Sequence, residues 1–186
     1  MKKTLLLIAI VTVLLSTSVA FGQVTANDTA TLSVTVGNEA TIVVDSSSKT
    51  TTFSTSTAFA DYTATTNYHF QVRTSSGSGG GGFIEVAITS DFSPTTGGPS
   101  AYAPAAGDSL KITASTASAG TSVVPANQVN ATAQNVVTFG PNVHAGSPGA
   151  VSTNGATGSV SWDLTNDPNY QTGTYKATAT FTISAS

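Results

Sequence analysis

Apolar side chains recur at every second position along most of this chain, and that period admits few folds. The cleanest run has Tyr175, Ala177, Ala179, Phe181 and Ile183 on one parity, with Lys176, Thr178, Thr180, Thr182 and Ser184 between them. Alternation at period two places one face of an extended backbone on a core and the other in water. The same pattern appears in Tyr68-His69-Phe70-Gln71-Val72, Ile84-Glu85-Val86-Ala87-Ile88, Leu110-Lys111-Ile112 and Val160-Ser161-Trp162-Asp163-Leu164. Nearer the start, Val24, Ala26, Ala30, Leu32, Val34 and Val36 fall on even positions, and Ala40, Ile42 and Val44 keep that parity. About eight or nine such strands are expected, separated by Gly, Pro, Ser and Asn clusters. The loops are expected at residues 45–52, 74–82, 93–108, 114–123 and 140–158. No helical stripe interrupts them, so crossover units and a parallel sheet are excluded. The spacing predicts an all-β, antiparallel sandwich, immunoglobulin-like or jelly-roll-like.

The first residues follow a different logic. Met1-Lys2-Lys3 is basic, the stretch from Leu5 to Leu15 is apolar apart from Thr12, and Ser16-Thr17-Ser18-Val19-Ala20 is small and polar. An apolar run this short does not span a bilayer, which takes roughly 20 residues. Basic, apolar and small-residue regions in this order read as a secretory signal peptide over residues 1–20, cut after Ala20 or, as second choice, after Gly22. Residues 21–186 then form a single sandwich domain with no transmembrane segment, and the protein is exported, extracellular or on the cell surface. At roughly 165 residues it is long enough to bury a core without staples. It must, because the chain has no cysteine.

Charge narrows the function. Charged residues make up 8 % of the chain. Without Lys2 and Lys3, the basic residues Lys49, Arg73, Lys111 and Lys176 face nine acidic ones. Such a surface repels polyanions, which argues against nucleic acid as a partner. Catalysis needs acids, bases or a metal held together, and nothing here suggests an enzyme or a cofactor. His69 falls on the solvent parity of its strand, and His144 lies in a Gly/Pro/Asn loop. Residues 77–82 are glycine-rich but lack the lysine and helix of a phosphate loop. Asp163, Asn166, Asp167 and Asn169 could offer oxygen ligands to calcium, with Asp163, Asp167 and Asn169 the candidates. The alternative is an ordinary turn around Pro168. Trp162 shares the parity of Val160 and Leu164, which makes it a core residue rather than an exposed platform for sugars.

Register singles out the N-terminal strand. A two-residue hairpin across Gly37-Asn38 would pair even residues with odd ones and send the apolar side chains of its two strands to opposite faces. A three-residue loop restores the match but puts Glu39 where glycine is preferred. The other solution is an extension, residues 24–36, that finds its partner elsewhere. An extended segment with alternating apolar residues suits strand addition, in which main-chain bonds give affinity and alternate side chains fill pockets.

The apolar leader, this alternating segment and the closing Gly173-Thr174-Tyr175-x-Ala177-x-Ala179-x-Phe181 resemble pilin subunits of the chaperone–usher class, including relatives of the spore coat U domain. Those pilins usually carry a disulfide, which this chain lacks. The resemblance implies a donor strand with Ala30, Leu32, Val34 and Val36 facing inward. It also implies an acceptor groove bordered by Tyr175, Ala177, Ala179, Phe181 and Ile183. The partners implied are other copies of the chain in a homopolymer, a periplasmic chaperone and an outer-membrane usher. The function expected is therefore a structural, pilin-like subunit of a surface fibre or fimbrium. The alternative is a monomeric secreted binding or adhesive module, glycan-binding through loops such as residues 93–108. N-terminal sequencing of the exported protein is expected to begin at Phe21, and a start at Gln23 marks the second cleavage site.

Overall fold

The computed structural model describes residues 30–96, 103–104, 110–125 and 132–186. The expected signal peptide, residues 1–20, and residues 24–29 of the expected extension lie outside them. Among the described residues nine strands form: β1 (Glu39–Val44), β2 (Tyr62–Arg73), β3 (Gly82–Thr96), β4 (Leu110–Ala117), β5 (Thr121–Ser122), β6 (Gln134–Phe139), β7 (His144–Ala145), β8 (Ala156–Leu164) and β9 (Thr174–Ala185). They make two sheets, one in the order β1-β2-β8-β4 with β7 also on β2, the other in the order β5-β6-β3-β9. Every strand pairing is antiparallel. The protein is an all-β sandwich, as the alternation requires.

Between the sheets lies one apolar cluster that includes Tyr68, Phe70, Ile84, Val86, Val137, Val160 and Trp162, all buried. Each comes from the inward parity of its strand. Aromatic rings bridge the layers: Tyr68 on β2 stands 5.4 Å from Phe181 on β9, and Phe70 stands 5.7 Å from Phe139 on β6. Tyr68 also covers Gly158, its direct partner on β8. A Cβ at that glycine would collide with the Tyr68 ring.

β6 breaks the alternation that marks the other strands. Val136 and Val137 are adjacent and both fully buried. The register explains this, because β3 advances one residue, Ile84 to Glu85, while β6 advances two, Val137 to Asn135. Val136 is thus the extra residue of a bulge, which lets neighbours share a face. Its carbonyl accepts from the Val123 amide and from the buried Ser115 hydroxyl, both at 2.8 Å. Elsewhere strands run further than expected. β3 continues through Ser93 to Thr96, into a stretch read as loop, by shifting register three times against β9. Residues 114–117 belong to β4, and β8 opens at Ala156.

The glycine-rich turn at residues 77–82 has a fixed partner. Amides of Ser75 and Gly81 both donate to the Ser186 carbonyl at 3.0 Å, and the Ser186 amide returns a bond to Gly81 at 2.7 Å. Glycine is needed at Gly82 by close approach, since a Cβ there would strike the Ser184 carbonyl. Among the described residues no helix is long and apolar enough to cross a membrane.

Burial pushes the Tyr68 hydroxyl up to about 12 from its ordinary 10.0, partly offset by the Ser115 hydroxyl. The folded state therefore holds this phenol neutral more tightly than the unfolded chain does. That contribution is fully present below pH 10 and is lost as pH rises from there through about 12. In alkaline titrations followed by circular dichroism, Tyr68→Phe is expected to lose this part of the fall in stability between pH 10 and 12.

Candidate functional site

β1 covers only half of β2. Its ladder runs from Glu39 opposite Arg73 to Val44 opposite Tyr68, leaving Tyr62 to Asn67 without a β1 partner on that side. The chain from Asp45 onward fills the gap loosely. Asp45 donates its amide to the Asn67 carbonyl, a 3₁₀ turn follows at Ser46–Ser48, and Ser54 makes a single bridge with Thr63. On the other sheet β9 pairs with β3 alone and ends the order. Its second backbone edge has no ladder among the described residues. Unpaired edges of this kind are templates for another strand.

Between these two borders lies a cleft of about 1020 Å³, partly open to solvent and lined mostly by apolar side chains. Trp162 and Leu164 of β8 and Leu110 of β4 form its floor. Phe53, from the segment after β1, and Phe92 of β3 meet edge to face at 6.3 Å on its walls. Tyr175, Ala177, Ala179 and Phe181 of β9 line it, while Ile183 packs on the core beyond it. In the middle of β9's contribution stand two alanines. The volume their neighbours supply is missing there, and that is why the sheets leave a hollow.

A polar network holds the floor. The Trp162 indole Nε1–H donates to Thr66 Oγ1 at 2.9 Å, and Thr66 shares a 3.0 Å hydroxyl contact with Thr51. Thr66 occupies an inward position of β2 and is buried, so its hydroxyl is tolerated because it is bonded. Trp162 is likewise buried, as its parity predicts, and presents no stacking face to solvent.

The residues expected to donate are described from Ala30 onward. Residues 30–38 form neither helix nor strand, so the three-residue hairpin is not made. Leu32, Val34 and Val36 are 93 %, 85 % and 61 % exposed. Ala30 is exposed too. Residues up to Thr35 fall outside the compact unit formed by Val36–Ser186. At the start of that unit, Arg73 Nε donates to the Gly37 carbonyl at 2.7 Å, and Arg73 Nη2 pairs with Glu39 Oε2 at 2.8 Å.

The remaining candidates are dispersed. Asp163 sits in β8 between Thr63 and Lys111 on neighbouring strands. Asp167 accepts from both the backbone amide and the side-chain amide of Asn169 at 2.8 Å, an Asx turn. Asn166 donates to Asp61 and to the Ala60 carbonyl. Among the described residues no three His, Asp or Glu side chains gather as a metal site would require. His69 faces outward and its Nε2 lies 3.0 Å from Asp45 Oδ1, tying the end of β1 to β2. His144 is exposed on β7.

Sequence reasoning missed the cleft's far wall. Phe53 and the exposed Phe59 stand in a Thr-rich run with no periodicity, and Phe92 follows register shifts that scramble parity. The available signal was the aromatic side chains themselves, in a segment otherwise polar. No family model and no curated protein matches this chain.

Replacing Thr66 by Val keeps the shape but strands the Trp162 N–H in an apolar floor. The expected loss is about 1–3 kcal/mol, measured by urea denaturation, with a change in Trp162 fluorescence of the folded protein.

Proposed function

We propose that this protein is a non-enzymatic structural subunit, exported to the cell surface, that assembles into pilin-like fibres by strand exchange. Residues 24–36 of one copy insert beside β9 of the next. The observation that carries this reading is a matched pair of deficits. One is an apolar cleft beside an unpaired strand edge; the other is an apolar alternating segment left in water. Leaving a Leu or Val side chain exposed forgoes roughly 1.5–3 kcal/mol for each compared with full burial. Insertion would recover this three times over with Leu32, Val34 and Val36, and would supply β9 with backbone partners. A chain that joins head to tail in this way closes no ring by necessity and can extend as a filament.

The chemistry of the cleft agrees with a peptide occupant. Phe53, Phe92, Leu110, Leu164 and Phe181 on its lining suit the alternate apolar side chains of an extended segment, and its one tryptophan is committed to the floor. Among the loops that a binding module could have used, Ser93–Thr96 is already spent on β3.

Size-exclusion chromatography and electron microscopy of the secreted protein are expected to show ladders or filaments. Deleting residues 24–36 is expected to give soluble monomers of lower stability, and Leu32→Asp to behave like the deletion because it buries an unpaired charge. A deletion variant that assembles and melts like the full chain would falsify strand donation. A wild-type protein that stays monomeric and binds sugars would favour the binding module instead.

A further inference from the structure

Charge is scarce on this chain, and its placement around the cleft is uneven. After residues 1–20 the basic side chains are Lys49, Arg73, Lys111 and Lys176. Lys49 and Lys176 both line the cleft, one on each border. Lys49 closes the 3₁₀ turn that follows β1, and Lys176 stands opposite Ser93 where β9 runs along β3. Both are exposed. Among the described residues the ion pairs are His69–Asp45 and Arg73–Glu39, so neither lysine has a carboxylate of its own. Asp167, the one acidic side chain among the described lining residues, is engaged by the two amides of Asn169. Behind this cationic mouth the interior is apolar, with Ile88, Leu110, Trp162 and Leu164 below Phe53 and Phe92. Its volume of about 1020 Å³ matches the upper end of small-ligand sites, roughly 300–1,000 Å³. Phe59 stands at the rim, 69 % exposed, with a φ of 59°. A left-handed backbone is costly at a bulky residue, and here it leaves an aromatic ring in water at the edge of an apolar hollow.

We infer that the cleft is also a binding site for a free long-chain aliphatic carboxylate, its tail on the Trp162 floor, its head at Lys49 and Lys176, and Phe59 laid over the tail. This goes beyond fibre assembly and holds whether or not the subunits polymerise. The two parts of the site divide the work. Each methylene taken out of water adds to affinity, so the apolar interior supplies most of the binding. The lysines are exposed and screened by salt, so they choose the class of head group and its orientation. A neutral chain of the same length fills the interior but leaves both cations unpaired. The border of the mouth distinguishes a free molecule from a bilayer. It carries Thr50, Thr52, Thr55, Gln171 and Thr172, all exposed, and such a polar border favours water over a membrane interior.

Trp162 is the chain's single tryptophan and lies on the floor, so its emission reports on the site directly. Monomeric mature protein is titrated with palmitate below its micelle concentration, and a saturable shift in Trp162 emission at one equivalent is expected. Hexadecanol, with the same tail and no charge, is expected to bind at least fivefold more weakly. Lys49→Ala with Lys176→Ala is expected to weaken palmitate at least fivefold and to leave hexadecanol binding and the circular dichroism spectrum unchanged. Lys111→Ala, away from the cleft, is expected to bind palmitate as wild type. Phosphatidylglycerol vesicles are expected to leave the emission as it is. The site is overturned if palmitate gives no saturable shift, or if the double variant binds it as tightly as wild type. A shift produced by the vesicles alone also overturns it, and assigns the cleft to a membrane surface instead. None of these outcomes depends on residues 24–36, so fibre assembly stands or falls separately.

Discussion

Everything in this fold depends on dry packing between two sheets. The chain has no cysteine to brace it. Stability must come from inward side chains and from ladder bonds, and the inward parity of each strand has to be respected for either to form. Tyr68 shows how tightly the two are joined. Its ring lies over Gly158 on the neighbouring strand and against Phe181 on the opposite sheet. One residue thereby fixes a cross-strand register and the spacing of the layers. Where parity fails, as at Val136, a bulge and two hydrogen bonds to the freed carbonyl make good the loss.

The same constraint creates the cleft. Packing is complete where large residues from both sheets interlock, around Phe70, Val137 and Phe139. It is incomplete where β9 offers Ala177 and Ala179 and where β1 stops at Val44. Beyond that point the first sheet is bordered by a turn and a single bridge instead of a strand. The hollow thus lies where both sheets are short of material at the same level. Its floor stays ordered because Thr66 and Trp162 satisfy one another.

How much of this could be read from the residues depends on how each strand buries its faces. β8 and β9 alternate over their inward stretches, so parity named Trp162, Tyr175 and Phe181 as inward. The first half of β2 was harder, because its inward position at Thr66 is polar and looks like loop until the indole partner is in place. β6 was illegible, since a bulge puts Val136 and Val137 on the same side. The border strand of the cleft was legible and the opposite wall was not. Phe53 and Phe92 reach it from an irregular segment and from a strand that shifts register. A hollow is also missing volume, and volume becomes visible only once both sheets are set against each other.

The clasp between the glycine-rich turn and Ser186 has a mechanical meaning. β9 lies along β3 for almost its whole length, and Ser186, the residue that follows it, is buttoned to Ser75 and Gly81 by three backbone bonds. A tug on β9 along its own axis would load that ladder in shear, so that many bonds must yield together. Peeling from the end, one bond at a time, is blocked where the button sits. The strand that borders the cleft is thus also one that resists being pulled out of its sheet.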